Sequence, residues 1–200
     1  MRLLIALFVW AGAIAGAAGL SSMVAAKAGK DQANASFDAS NVTAADPVSL
    51  FHPANLDKIL AVERKHLGSE AEFNDFVLYP GYLSLTEVAN GSDTNVYINA
   101  NGKYEVLSTT DAAGNSRVFS LKHVNGASVD AVVQKIVTRA HFPLSQLHYL
   151  VIDGDPISHH LNWLVYPVRG TPVEYFETSG PHGHLLQLLK NSPAGPTPVK

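Results

Sequence analysis

The chain has 200 residues, a net charge of −3 with histidines counted neutral, 16% charged residues, a mean hydropathy of +0.07 and no cysteine. Without cysteine there can be no disulfide, thiolate metal site or cysteine nucleophile. No basic stripe is present to neutralise phosphates, which argues against nucleic acid as a partner.

The N-terminal run from Leu3 to Ala26 carries no charge and is bracketed by Arg2 and Lys27. At about 1.5 Å rise per residue such a run is long enough to cross a bilayer core of roughly 30 Å. It contains no proline, and it exceeds the usual h-region of a cleaved signal, so a transmembrane anchor over residues 3–26 is the favoured reading. A cleaved signal peptide is the alternative, because Val24-Ala25-Ala26 and Ala26-Lys27-Ala28 both fit the small-x-small pattern. Either way, the rest of the chain is expected outside the cytoplasm, held at the cell membrane by a single pass or secreted. A domain of this size without disulfides in that compartment leans toward a bacterial envelope protein.

Residues 27–52, rich in Ala, Ser, Asn and Asp, read as a flexible stalk. The spacing of Leu56, Ile59, Leu60, Glu63 and Leu67 predicts a helix from Pro53 to Leu67, stopped by Gly68. Strands are predicted at 72–79, 82–88, 94–98 and 104–108, with Asn101-Gly102 as a type I′ hairpin turn. A short alternating run at 117–124 leads to a second helix, whose apolar positions Val129, Val132, Val133, Ile136 and Val137 place it over 129–140. Further strands are predicted at 147–152, 161–168, 173–177 and 185–188. The Pro- and Gly-punctuated residues 191–200 read as a disordered tail.

A helix followed by strands occurs twice, which suggests a repeat spanning residues 53–110 and 111–190. Asp57 and Asp130 lie 73 apart (130 − 57), as do Phe76 and Tyr149 (149 − 76), while Tyr97 and Tyr175 lie 78 apart (175 − 97). The expected fold class is therefore α+β, two helix-on-antiparallel-sheet repeats behind an N-terminal transmembrane helix. A helix leading into an antiparallel meander that ends in a Tyr-x-x-x-[Asn/Ser]-Gly turn resembles the PepSY and beta-lactamase-inhibitor-protein-like modules of bacterial envelope proteins. The strand pair Leu78–Leu85, Leu-Tyr-Pro-Gly-Tyr-Leu-Ser-Leu, is similar to that of uncharacterised membrane-anchored bacterial proteins. The resemblance implies a non-enzymatic role and supplies no catalytic residue.

Nine histidines are present, six of them after residue 140. His182 and His184 would share a strand face and could reach one metal, although Gly180-Pro181-His182-Gly183 reads first as a turn. Asp153-Gly154-Asp155-Pro156 lacks the downstream Glu of a calcium loop. Gly-x-Ser-x-Gly, His-Glu-x-x-His and phosphate-cradling glycine motifs are all missing, so neither catalysis nor a cofactor is expected. Aromatic residues form the other cluster. Tyr82, Tyr97, Trp163, Tyr166 and Tyr175 are the candidates for a surface that takes a protein or peptide of the envelope. The alternative from another class is a His-based metal-binding or metallohydrolase domain.

Overall fold

The computed structural model describes residues 37–112, 118–141, 143–154, 161–167, 174–179, 185–191 and 197–198. Within them run helices α1 (Pro53–Leu67) and α2 (Gly126–Ala140) and strands β1 (Glu72–Leu78), β2 (Tyr82–Ala89), β3 (Ser92–Asn99), β4 (Tyr104–Asp111), β5 (Phe119–Ser120), β6 (Leu147–Gly154), β7 (Leu161–Pro167), β8 (Glu174–Ser179), β9 (Leu185–Asn191) and β10 (Thr197–Pro198). The α+β class stands, with α1 followed by the meander β1–β4 and α2 by the meander β6–β9. The expected anchor over residues 3–26 lies outside the described residues. Among those described, no helix is long and apolar enough to cross a membrane.

The two meanders do not form separate sheets. Their first strands pair antiparallel, Phe76 opposite Ile152, Val77 opposite Val151 and Leu78 opposite Leu150. One sheet results, in the order β10-β9-β8-β7-β6-β1-β2-β3-β4, with β5 beside the start of β1. Strand pairing of this kind satisfies two edges that each unit alone would leave open.

Alternation sets which side chains face the helices. Phe76, Leu78, Leu83, Leu85, Val96 and Ile98 of the first unit meet Leu150, Ile152, Trp163 and Val165 of the second in one core. The helices close that core with matching stripes: Leu56, Ile59, Leu60 and Glu63 from α1, and Val129, Val132, Val133 and Ile136 from α2, all 73 apart (129 − 56). Helices of fifteen residues are marginal alone, so this shared burial holds them.

The strand equivalences differ from the expected ones by one residue. β1 bulges between Phe73 and Asp75, and β6 bulges between Leu147 and Tyr149. Aligning the two bulges requires a shift of 74 (147 − 73), which matches Phe76 to Leu150 and Val77 to Val151 on common faces. Phe76 and Tyr149 therefore lie on opposite faces and are not equivalent. Likewise Ser84 opposes Tyr97 and its counterpart Leu164 opposes Phe176, so the partner of Tyr97 in the repeat is Phe176 rather than Tyr175. An odd error reverses the face, because side chains alternate with period two.

Residues 37–52 are not a free stalk: Ala39, Ala44, Leu50 and Phe51 are buried, and the Leu50 amide donates to the Pro80 carbonyl at 2.6 Å. Ala39 presses so closely on Gly81 that its carbonyl occupies the place of a Cβ there. In the tail, Thr197 and Pro198 pair with Lys190 and Leu189 as β10. Of the run 117–124 the described part holds only the two-residue β5 and a 3-10 turn, Leu121–His123. The two-residue hairpin turn falls on Asn90-Gly91, where both residues have positive φ, 52° and 77°. At Asn101-Gly102 only Gly102 is left-handed, and the loop is instead held by the Asn99 side chain, which accepts from the Asn101 and Lys103 amides.

Candidate functional site

The sheet face turned away from the helices carries three rows of side chains that run across the strands. The first is aromatic. Tyr97 of β3, Tyr82 of β2, Tyr79 at the end of β1, Tyr149 of β6 and Tyr166 of β7 follow one another with ring centroids 5.2, 4.4, 5.1 and 4.4 Å apart. Tyr79–Tyr82 and Tyr149–Tyr166 are stacked, and the tilted Tyr79–Tyr149 pair bridges the seam between the units. His148, the residue extruded by the β6 bulge, sets its ring edge-on to Tyr79 at 5.6 Å and to Tyr149 at 5.1 Å.

Local sequence explains the alignment. Tyr79-Pro80-Gly81-Tyr82 reverses the chain with the Tyr79 amide donating to the Tyr82 carbonyl at 2.9 Å, which places the two rings side by side. Val77 and Val151 form the next row with Leu164, giving the tyrosines an apolar floor. Burial pushes the Tyr82 phenol far above its ordinary range, with the neighbouring Tyr79 and Tyr97 adding to the shift. Tyr97 is pushed up to about 12, by burial first and then by Glu105 and Asp38. The Tyr82 and Tyr97 phenols are therefore neutral at any physiological pH. Tyr79, Tyr97 and Tyr166 are themselves buried, so the row is packed ring against ring, with Tyr82 and Tyr149 its partly exposed members.

The third row is polar. Thr86 donates its hydroxyl to the Asn95 side-chain oxygen at 2.7 Å, and the Asn95 amide donates to Ser108 Oγ at 2.8 Å. Asp75 lies opposite Thr86, and Asp153 opposite Asn162. Asp75 is raised to about 6, chiefly because burial disfavours its charge and also because Asp153 is near; the Phe76 amide opposes the shift. The Asn162 Oδ1 and Asp93 Oδ1 atoms are buried with no hydrogen-bond partner. Among the described residues, no three His, Asp or Glu side chains converge as a metal site.

Of the residues expected on the ligand surface, Tyr82, Tyr97 and Tyr166 stand together in the aromatic row. Trp163 does not, for alternation turns it to the helix side, where it is 2% exposed in the core. Tyr175 lies opposite Val165 on β8, and its side chain is outside the described set, as are His182 and His184. Tyr79 and Tyr149 belong to the same aromatic cluster of the sequence and, though not singled out for the ligand surface, sit at the centre of the row. Only the non-local pairing of β1 with β6 brings them together, and no local pattern signals that pairing.

No family model matches the chain, and no curated protein matches it. Two solved structures are similar to it. One is a lipoprotein candidate from Clostridium difficile 630, at 14% identity and TM-score 0.44, covering 71% of this chain and 98% of the other. The second is a DUF2874 family protein from Bacteroides ovatus ATCC 8483, at 16% identity and TM-score 0.27, covering 71% and 89%. At these TM-scores neither likeness bears on function.

Proposed function

We propose that the chain is a non-catalytic binding or regulatory module of the bacterial cell envelope, of the PepSY or beta-lactamase-inhibitor-protein-like kind, with the tyrosine row as its ligand surface. The anchor over residues 3–26 holds it at the membrane, or its removal releases it as a secreted protein. The observation that supports the reading is the unbroken row of five tyrosines across the seam. Tyr82 and Tyr149, the partly exposed members, offer rigid aromatic area with little conformational entropy to lose, and the buried Tyr79, Tyr97 and Tyr166 hold them in place, which suits recognition of a protein or peptide. The acidic and amide row, one row further across the face beyond Val77 and Val151, would supply directional contacts to a ligand long enough to span both.

A photo-crosslinking residue at position 164, beside Tyr166 on this face, tests the reading in intact cells. The expected result is an adduct with a discrete envelope protein, lost when Tyr82 and Tyr149 are both changed to Ala in a folded variant. An adduct that survives those changes, or no adduct at all, overturns it. The His-based metal reading rests on His182 and His184. A stoichiometric metal in the purified protein, lost when both are replaced, would favour it over the tyrosine surface.

A further inference from the structure

The two helices present matching stripes to the core, yet one pair of positions disagrees. Where α2 has Ile136, α1 has Glu63 (136 − 63 = 73), and both are 1% exposed. The Glu63 Oε2 atom has no hydrogen-bond partner. A carboxylate buried in that way is costly when charged and tolerable when protonated. Its surroundings reinforce this. Glu87 of β2 follows Leu83 and Leu85 on the helix-facing side of the sheet and acts electrostatically on Glu63. Tyr104 of β4 feels both carboxylates and stacks against His66 of α1 with centroids 4.0 Å apart and planes 9° apart. From α2 the facing stripe is apolar, and the cation beside Glu63 is Arg64 on its own helix, whose guanidinium donates to the Val124 carbonyl at 3.3 Å.

We propose that Glu63 is a proton-binding site that couples pH to the packing of the last turn of α1 on β2 and on β4. With its proton in place, Glu63 is a neutral group among apolar neighbours and beside Glu87. Losing the proton puts a bare charge in the core, next to a second carboxylate and the Tyr104 phenol, at the point where the helix ends. The contact loosened first is the last turn, where His66 lies over Tyr104.

The sign follows from linkage. Burial is the main cause that raises Glu63 from 4.5 to about 7, with Glu87 adding and Arg64 opposing. Between these two values the folded state holds a proton that the unfolded chain has released. Stability is therefore fully present below about 4.5, falls as pH rises toward 7, and stays lost above it.

The test is denaturant unfolding of the full chain from pH 4 to 8.5, in an Asp75→Asn background because Asp75 titrates in the same sense. The unfolding constant should rise on the order of 100-fold across the window. Glu63→Gln, which keeps the shape and cannot ionise, should remove most of that rise. Glu87→Gln should move the window to lower pH, because a charge that raises the Glu63 pKa is gone. Hydrogen exchange of the amides of residues 63–67, corrected for intrinsic rates, should quicken with pH in the Asp75→Asn protein and provides the readout if Glu63→Gln fails to fold. A pH slope unchanged by Glu63→Gln, a window unmoved by Glu87→Gln, or exchange in this turn that is independent of pH would each overturn the proposal.

Discussion

In the first unit α1 begins at Pro53 behind His52, whose side chain makes no capping bond, whereas in the second α2 begins at Gly126 behind Asn125, which forms a reciprocal capping box with Ser128. Pro53 and Gly126 are equivalent positions, 73 apart, and they touch each other. A Cβ at Gly126 would run into the Pro53 backbone. Equivalent residues meet again at Val77 and Val151 on the β1–β6 seam, as expected when two like units pair about a local two-fold relation. The symmetry breaks in its hydrogen bonds. Asp57 accepts from the Gly126 amide at 2.8 Å, but its counterpart Asp130 cannot receive the matching bond, since Pro53 has no N–H. Asp130 instead accepts from Gln134 on its own helix. Two similar units thus share a backbone plan while the side chains at the contact have become complementary rather than identical.

That comparison predicts how far the units depend on each other. The largest effect is expected from Val133→Asp. It would bury an unpaired charge in a core to which both units contribute, at a cost above about 4 kcal/mol. Because the core is one cluster, hydrogen exchange should show α1 and β3 losing protection together with α2. Loss confined to α2 and β6–β9 would mean that the units fold independently. Next comes Gly126→Ala, where the added carbon meets backbone and no rotamer change can relieve it. Overpacking of that kind costs about 3 kcal/mol, measurable as a lower denaturation midpoint with an unchanged slope. Pro53→Ala, on the other side of the same contact, should cost much less, since it introduces no new atom toward Gly126.

A third prediction concerns the tyrosine-bearing face. Asp75 is raised from 3.8 to about 6, so the folded state retains its proton between those values and stability falls as pH rises through them. Asp75→Asn should remove that fall and leave the variant more stable than the parent at pH 7, by about 3 kcal/mol at most. Thermal unfolding at pH 4 and at pH 7 checks it. A variant no more stable at pH 7 would show that the Asp75 charge is compensated on this face.

Much of this architecture was legible in the chain, and the exceptions have physical causes. The 73-residue match between the helices could be seen because Leu56, Ile59 and Leu60 recur as Val129, Val132 and Val133 at helical spacing, a purely local pattern. The strand match missed by one because Asn74 and His148 are extruded by bulges, and a bulge leaves no clear mark on apolar alternation. Trp163 reads in the sequence as a surface aromatic yet lies in the core with Val165, since alternation groups residues without saying which group the helices cover. The tyrosine row depends on β1 meeting β6 across some 70 intervening residues, which no local signal encodes. Asn125 leaves no mark on the apolar pattern, which starts at Val129, because a capping residue precedes that pattern by several positions.

The smallest effects sharpen the contrast between the two helix starts. In α2, the Asn125 side chain accepts from the Ser128 amide at 2.9 Å and the Ser128 hydroxyl accepts from the Asn125 amide at 3.0 Å. Asn125→Ala removes one half of that exchange and should cost about 1 kcal/mol. In α1, residue 55 stands where Ser128 stands in α2, but Asn55 turns its amide back to the Pro47 and Ser49 carbonyls at 2.8 and 3.0 Å. It ties the helix start to the preceding segment instead of capping it. His52 has no capping bond to lose, so His52→Ala should change stability far less than Asn125→Ala. His52→Ser offers a hydroxyl to the Asn55 backbone amide, which already donates to the His52 carbonyl at 3.0 Å, so it should add no more than a few tenths of a kcal/mol. Paired denaturation curves of the three variants decide the point. If His52→Ala costs as much as Asn125→Ala, the histidine does work that its backbone geometry does not show, and the two helix starts are equivalent in energy though not in chemistry.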